Sequence, residues 1–140
     1  MTNFKITKGK NDFKDIEFIR QTVFIDEQKF TDEFDITDNT AYHVAGYENN
    51  KPIVCARFFR DGNNEYHIGR IAVLKEFRGK GLGSEIVEFC ENEIKKLGGK
   101  SVSLSAQVRA SDFYKKMNYN TNGEVYMDEH VEHIKMTKEL

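Results

Sequence analysis

The chain has 140 residues, 39% of them apolar, and its 21 Lys and Arg nearly balance 23 Asp and Glu for a net charge of −2. Without a clustered basic excess it lacks the electrostatic footprint of a nucleic-acid binder, and no apolar run approaches the length of a membrane span. Its two cysteines, Cys55 and Cys90, each lie in an apolar pattern, which argues for buried reduced thiols in a cytoplasmic protein and against a disulfide scaffold. A chain of this length fits one domain, residues 1–140, able to bury roughly two thirds of its unfolded surface without a metal or disulfide staple. Met1-Thr2-Asn3-Phe4-Lys5 lacks the apolar core of a signal peptide.

Residues 4–7 read as a short first strand. A helix is expected from Asn11 or Asp12, either of which can cap it, because Phe13, Ile16, Ile19 or Arg20, Val23 and Phe24 recur at three- and four-residue spacing. Val23-Phe24-Ile25-Asp26-Glu27-Gln28 ends this helix and starts another. The polar, acidic residues 29–40 read as a loop with one or two helical turns. Ala41 to Tyr47, Ile53 to Arg60 and Glu65 to Leu74 are three strands joined by turns at Glu48-Asn49-Asn50-Lys51-Pro52 and Asp61-Gly62-Asn63-Asn64, an antiparallel meander. From Ser84 to Leu97 a helix puts Ile86, Val87, Cys90, Ile94 and Leu97 on one face, and Gly98-Gly99 stops it. Val102, Leu104, Ala106 and Val108 alternate as a strand, parallel to the third because a helical crossover joins them. A short helix at Ser111 to Met117, capped by Ser111 or Asp112, and two final strands at 121–127 and 131–137 complete the chain.

The most informative stretch is Arg78-Gly79-Lys80-Gly81-Leu82-Gly83-Ser84, between the apolar strand Ile71-Ala72-Val73-Leu74 and the helix. A strand, a glycine turn and a helix start present bare backbone N–H groups to an anion, and the helix end adds partial positive charge. The P-loop spacing fails, since Lys80 is followed by Gly81 and no glycine precedes it at the required distance. The dinucleotide fingerprint fails as well, since its third glycine falls on Ser84 or Ile86. A ligand-free tight turn needs one glycine; three alternate glycines flanked by Arg78 and Lys80 favour a phosphate ligand.

Arg78-x-x-Gly81-x-Gly83 resembles the acyl-CoA signature of the GNAT-type N-acetyltransferases, and Asp112-Phe113-Tyr114-Lys115-Lys116-Met117-Asn118-Tyr119 resembles a later segment of that family, with Asn118 where glycine is usual. The resemblance spans roughly residues 12–137. Val23 to Gln28, Ala106-Gln107 and Glu129-His130-Val131-Glu132-His133 are similar to the ElaA-like bacterial subgroup. The implied fold is α/β (α+β): a mixed, mostly antiparallel sheet of six to seven strands with flanking helices and one splayed parallel pair. The implied activity is acetyl transfer from acetyl-CoA to a primary amine of a small molecule or peptide, by direct attack and without an enzyme nucleophile. A non-catalytic acyl-CoA sensor on the same fold is the alternative. Homodimers are common in the family, though no surface in this sequence names an interface.

The resemblance also implies roles. Backbone amides from Leu82 to Ser84, the turn residues Gly79, Gly81 and Gly83, and the side chains of Arg78 and Lys80 would hold the pyrophosphate. Ile71, Ala72 and Val73 would pair with the pantetheine arm through main-chain groups, the amide near Val73 would face the oxyanion, and Ala106-Gln107 would line the arm's other side. Tyr114, by its residue pattern an ordinary aromatic on a short helix, matches the family's general acid. Glu27, His43, Glu129 and His133 are the candidates for deprotonating the acceptor amine, directly or through water; a lone strand histidine such as His43 is otherwise a surface or satisfied residue. Phe24 either contacts the acceptor or belongs to the core, and the acidic stretch 26–38 either attracts a cationic acceptor or is simply solvated. His130 and His133 lack partners at metal-ligand spacing, so no metal is expected. Cys55 and Cys90 have no cationic neighbour in sequence and are not nucleophile candidates.

Overall fold

β1 (Asn3–Lys8), β2 (Tyr42–Glu48), β3 (Lys51–Arg60) and β4 (Glu65–Val73) lie side by side, each antiparallel to the next, in a computed structural model that describes residues 2–140. Asn49 and Asn50, with φ of 51° and 64°, supply the left-handed pair that a tight hairpin between β2 and β3 requires. β1 joins the edge of β2 although the first helix intervenes.

That helix, α1 (Lys14–Arg20), starts later than the sequence pattern suggests. Asp12 has a φ of 54°, outside helical space, and its carboxylate bonds to Lys5 instead of capping. Past Arg20 the chain continues as one wider π-wound segment, Gln21–Glu27, instead of ending and restarting at Val23. Gln28 N–H reaches back five residues to the Val23 carbonyl (3.0 Å). Both windings keep Ile16, Ile19, Val23 and Phe24 on the buried side, which is the periodicity the sequence displays.

Residues 28–40 contain one short 3₁₀ turn, Ile36–Asn39, capped by Asp35. Neither sequence reading of this acidic segment holds for Glu33, Asp35 and Asp38. They turn inward onto three arginines: Arg20 binds Glu33 (2.8 Å) and Asp38 (2.7 Å), Arg57 binds Asp35 (2.7 Å) and Asp38 (2.9 Å), and Arg70 binds Glu33 (3.0 Å) and Asp35 (3.2 Å). Arg20 and Asp38 are fully buried. Burial works to raise the Asp38 carboxyl, but the Arg20 hydrogen bond and charge, with help from Asp35 N–H and Arg57, prevail and hold it at about 2, below the ordinary 3.8.

α2 (Leu82–Lys96), β5 (Ser101–Gln107), α3 (Ser111–Lys116), β6 (Asn120–Thr121), β7 (Tyr126–Asp128) and β8 (Val131–Glu139) complete the fold. The sheet has eight strands, not six or seven, in the order β1-β2-β3-β4-β5-β8-β6, with β7 also on β8. The added strand arises because the segment expected at 121–127 breaks at Gly123 (φ 101°) into β6 and β7. α3 has no side-chain cap; Ala110 precedes it. α2 buries Ile86, Val87, Cys90 and Ile94 against one face of the sheet, while α1 covers the other at Ala45, Cys55 and Ala72. Among the described residues, no helix is long and apolar enough to cross a membrane.

The Asp38 cluster makes a stability prediction. Removing one member of a buried ion pair strands the other and costs about 3–5 kcal/mol. Urea unfolding at neutral pH is therefore expected to show Asp38→Ala destabilised by about that amount. Because the folded-state carboxyl is depressed, its contribution is present above its ordinary 3.8 and is lost as pH falls through about 2. The gap between variant and parent should accordingly narrow as pH falls across that interval. A constant gap, or a gap below about 1 kcal/mol, would contradict the pairing.

Candidate active site

The site begins where the sheet separates. β4 and β5 pair in parallel only at Glu65↔Ser101, Tyr66↔Val102 and His67↔Ser103. Beyond those rungs β4 stays with β3, and β5 stays with β8 down to Gln107↔His133. A cavity of about 430 Å³ opens between them, bordered by Ile68 to Ile71 of β4, Leu104, Ser105 and Gln107 of β5, and Tyr114 of α3.

A bulge shapes the β4 wall. Cys55 pairs with Ala72 but Arg57 pairs with Gly69, so Arg70 and Ile71 together oppose Ala56. Arg70 takes a φ of 50°, a conformation costing a non-glycine residue about 1–2 kcal/mol. Its guanidinium is held there by the Glu33 carbonyl (3.2 and 3.1 Å) and by the Glu33 and Asp35 carboxylates. Past the bulge, Leu74 N–H points across to Ile53 O (2.9 Å). By strand alternation the Val73 N–H points the opposite way, away from β3. Ile71 lines the cavity, whereas the Ala72 side chain is buried in the α1 face of the core.

The glycine turn follows at the rim. After a 3₁₀ turn at Lys75–Phe77, Gly79 and Gly81 take φ of 78° and 82°, and Gly81 caps α2. A Cβ on either would meet nothing within 4 Å. Glycine is needed there for the left-handed backbone, and the space before the helix end is open. The N–H groups of Leu82, Gly83 and Ser84 form the first turn of α2, where no preceding helical carbonyl exists to accept them. Gly83 differs: its Cβ would press on the Phe113 ring at 3.3 Å. Lys80 Nζ rests 5.4 Å from the Phe77 ring centroid.

Arg78 and Glu27, assigned separate roles by the sequence, meet each other. The guanidinium binds both Glu27 oxygens at 2.7 Å, and its Nε donates to Val73 O at 3.0 Å. The Arg78 hydrogen bond holds the Glu27 carboxyl below its usual range. Glu27 is thus an occupied anion in this conformation.

Tyr114 lines the cavity, is 9% exposed, and among the described residues its hydroxyl has no hydrogen-bond partner. Burial pushes it up to about 12, so it carries its proton throughout the neutral range. Gln107, at the end of β5, donates to Gln28 Oε1 (2.8 Å) and accepts from Arg109 Nε (2.7 Å). Phe24 is both core and cavity wall. Glu129 borders the cavity, but its oxygens accept from Thr31 N–H and hydroxyl (2.8 and 2.9 Å) and Asp32 N–H (2.9 Å), which hold its carboxyl low. His133 lines the cavity beside Phe30 and Tyr126.

His43 does not join them. It is 1% exposed on β2, donates from Nε2 to Asp38 O (3.1 Å) and packs edge-on to Phe13. It belongs to the Arg20–Asp38–Arg57 cluster, two strands from the opening, and is withdrawn as an acceptor ligand. Sequence reasoning missed His67, Arg70, Gln28 and Phe30 in the cavity wall. His67 sits in a recognised strand, and Gln28 ends the recognised run from Val23; nothing local marked the bulge at Arg70.

A model of the acetyltransferase (GNAT) domain family matches residues 10–140. The uncharacterized N-acetyltransferase YjcF of Bacillus subtilis is 32% identical, over 96% of this chain and 97% of that protein. The fold is similar to that of Escherichia coli ElaA, with a TM-score of 0.88 and 24% identity over 99% of both chains. It is also similar to a Bacillus subtilis acetyltransferase solved in complex with CoA, with a TM-score of 0.73 and 12% identity over 100% of this chain and 99% of that one. A splayed parallel pair, a glycine turn capping the crossover helix and a family match over nearly the whole length together place this chain in the GNAT acetyltransferase family.

Proposed function

We propose that the protein is an acetyl-CoA-dependent N-acetyltransferase that passes the acetyl group directly to a primary amine of a small molecule or peptide. The observation that carries this reading is the parting of β4 from β5 after three rungs, which leaves β4 beyond His67 without a β5 partner as it runs to the Gly81-capped helix end. Bound there, acetyl-CoA supplies an activated thioester carbonyl. The amides of Leu82, Gly83 and Ser84, with Arg78 and Lys80, hold the pyrophosphate; the main chain of Ile71 to Val73 aligns the pantetheine arm; Gln107 borders its other side. The Val73 N–H faces the carbonyl oxygen as charge develops on it. Tyr114 gives its proton to the departing sulfur, a role for which an unpartnered hydroxyl held near 12 is suited. Both thiols are buried and pushed up by desolvation, Cys55 to about 12, which supports direct transfer over a cysteine intermediate.

Thiol release from acetyl-CoA with a panel of primary amines (polyamines, amino acids and a peptide with a free N-terminus) tests the reading. Turnover with at least one amine is expected. Tight binding of acetyl-CoA with no turnover across the panel would identify a binding module instead. Tyr114→Phe should leave acetyl-CoA affinity by calorimetry and stability in urea nearly unchanged, since no partner is stranded, and lower kcat by about 10²-fold or more. An unaltered kcat would remove Tyr114 from the mechanism.

Glu27→Gln separates the two roles considered for that residue. With its carboxylate gone, Arg78 is free to meet phosphate, so acetyl-CoA should bind a few-fold tighter, with a steeper dependence on salt. Loss of turnover at unchanged acetyl-CoA affinity would instead make Glu27 the base.

A further inference from the structure

Several side chains near the cavity could in principle take a proton from the acceptor amine, and most are already engaged. Glu27 holds Arg78 with both oxygens. Glu129 holds the backbone of Thr31 and Asp32. Glu33 is paired with Arg20 and Arg70. His67 sits at the closed end of the cavity, opposite Ser103 in the last parallel rung, where its Nδ1 meets the Ser103 hydroxyl at 3.2 Å.

His133 is different. Its Nδ1 lies 2.9 Å from the Val131 carbonyl. A carbonyl only accepts, so Nδ1 carries the proton and, in the neutral ring, Nε2 keeps its lone pair. Among the described residues the ring's one hydrogen bond is that of Nδ1, and the side chain lines the cavity. The ring is fixed from three sides. Tyr126 stacks on it at 6.0 Å, Phe30 meets it edge-on at 6.2 Å, and β8 sets it opposite Gln107, the last residue of β5. The Tyr126 hydroxyl is itself bonded to Ser105.

We propose that His133 Nε2 is the general base of this enzyme, accepting the proton of the acceptor ammonium; the assignment rests on the amine-acetylating reading above. His133 takes one proton from R–NH3⁺, which frees the nitrogen electron pair to form the N–C bond. Tyr114 protonates the sulfur as the C–S bond breaks with its electron pair. The second proton shed by the nitrogen restores the tyrosine hydroxyl through solvent, and His133 passes its own to bulk water. The sum is one amide, one thiol and one proton released. The other charged groups bordering the cavity are Asp32 and Asp128 on its exposed rim, the paired Glu33, Glu129, Arg70 and Arg78, and Arg109 bound to Gln107.

The test is His133→Asn, whose amide can still donate to Val131 O but offers no basic nitrogen. With the fastest amine of the panel, kcat/KM at neutral pH should fall by about 10²-fold or more while acetyl-CoA affinity holds. The loss should shrink as pH rises and the amine deprotonates unaided. Turnover near that of the wild type at neutral pH overturns the assignment but leaves amine transfer standing. A wild-type protein that binds acetyl-CoA and acetylates no amine overturns both. Should the variant fail to fold, long-range ¹H–¹⁵N spectra of the wild-type protein decide the point. A proton on Nδ1 and none on Nε2 supports the base, and the opposite tautomer overturns it.

Discussion

The architecture depends on how briefly β4 and β5 stay together. Three parallel rungs join two half-sheets, and each strand then follows its antiparallel partner, β4 with β3 and β5 with β8. Antiparallel pairing is slightly stronger per residue than parallel pairing, so continuous ladders on the outer sides cost little when the inner one stops. Just past the last rung, the bulge at Arg70-Ile71 adds twist to β4. The opening therefore has a free strand edge on one wall and the base of α3, with Tyr114, close by. The same departure delivers the chain after Val73 to the glycine turn, so the edge and the helix end are consecutive features of one strand–turn–helix unit.

Charge pairing, more than secondary structure, holds the wall opposite. The segment from Gln28 to Thr40 has one 3₁₀ turn of its own and is fixed by Glu33, Asp35 and Asp38 on Arg20, Arg57 and Arg70. Such a cluster is costly to desolvate, and apolar replacements often match it for stability. Its effect here is positional. Arg70 belongs both to the cluster and to the bulge, so the groups that fix the loop also hold the strained residue that turns β4 away. From the far side, the β7–β8 hairpin reaches the same loop through Glu129 on Thr31 and Asp32 and through His130 on the Gln28 carbonyl (2.7 Å). Two distant parts of the chain thereby meet beside the cavity.

Local patterns in the sequence were enough to read the sheet meander, α2 with its buried stripe, the crossover to β5 and the glycine turn. Each is set by neighbours within a few residues. What escaped notice depends on partners far apart in the chain. Arg20 and Asp38 are 18 positions apart, Arg70 and Glu33 are 37, and Arg78 and Glu27 are 51. An acidic run is legible as charge, but whether it faces water or a buried arginine is decided by packing. The same limit explains His43, a strand histidine packed on Phe13 and bonded to Asp38 O, neither of them part of its own strand. The π-wound turn after Arg20 preserved the apolar stripe and so left no mark on the periodicity. Tyr114, which the family resemblance singled out, lines the cavity, and Leu82 to Ser84 open α2, whereas the hydrogen bond between His133 and the Val131 carbonyl became visible only in three dimensions.

The central claim is that the parted strands and the glycine-capped helix end form one donor site. A crystal structure of the protein with CoA tests it most directly. The account requires the pyrophosphate on the N–H groups of Leu82, Gly83 and Ser84 and the pantetheine arm along the main chain of Ile71 to Val73, between β4 and β5. A pyrophosphate seated elsewhere, or an arm that bypasses the opening, would contradict it.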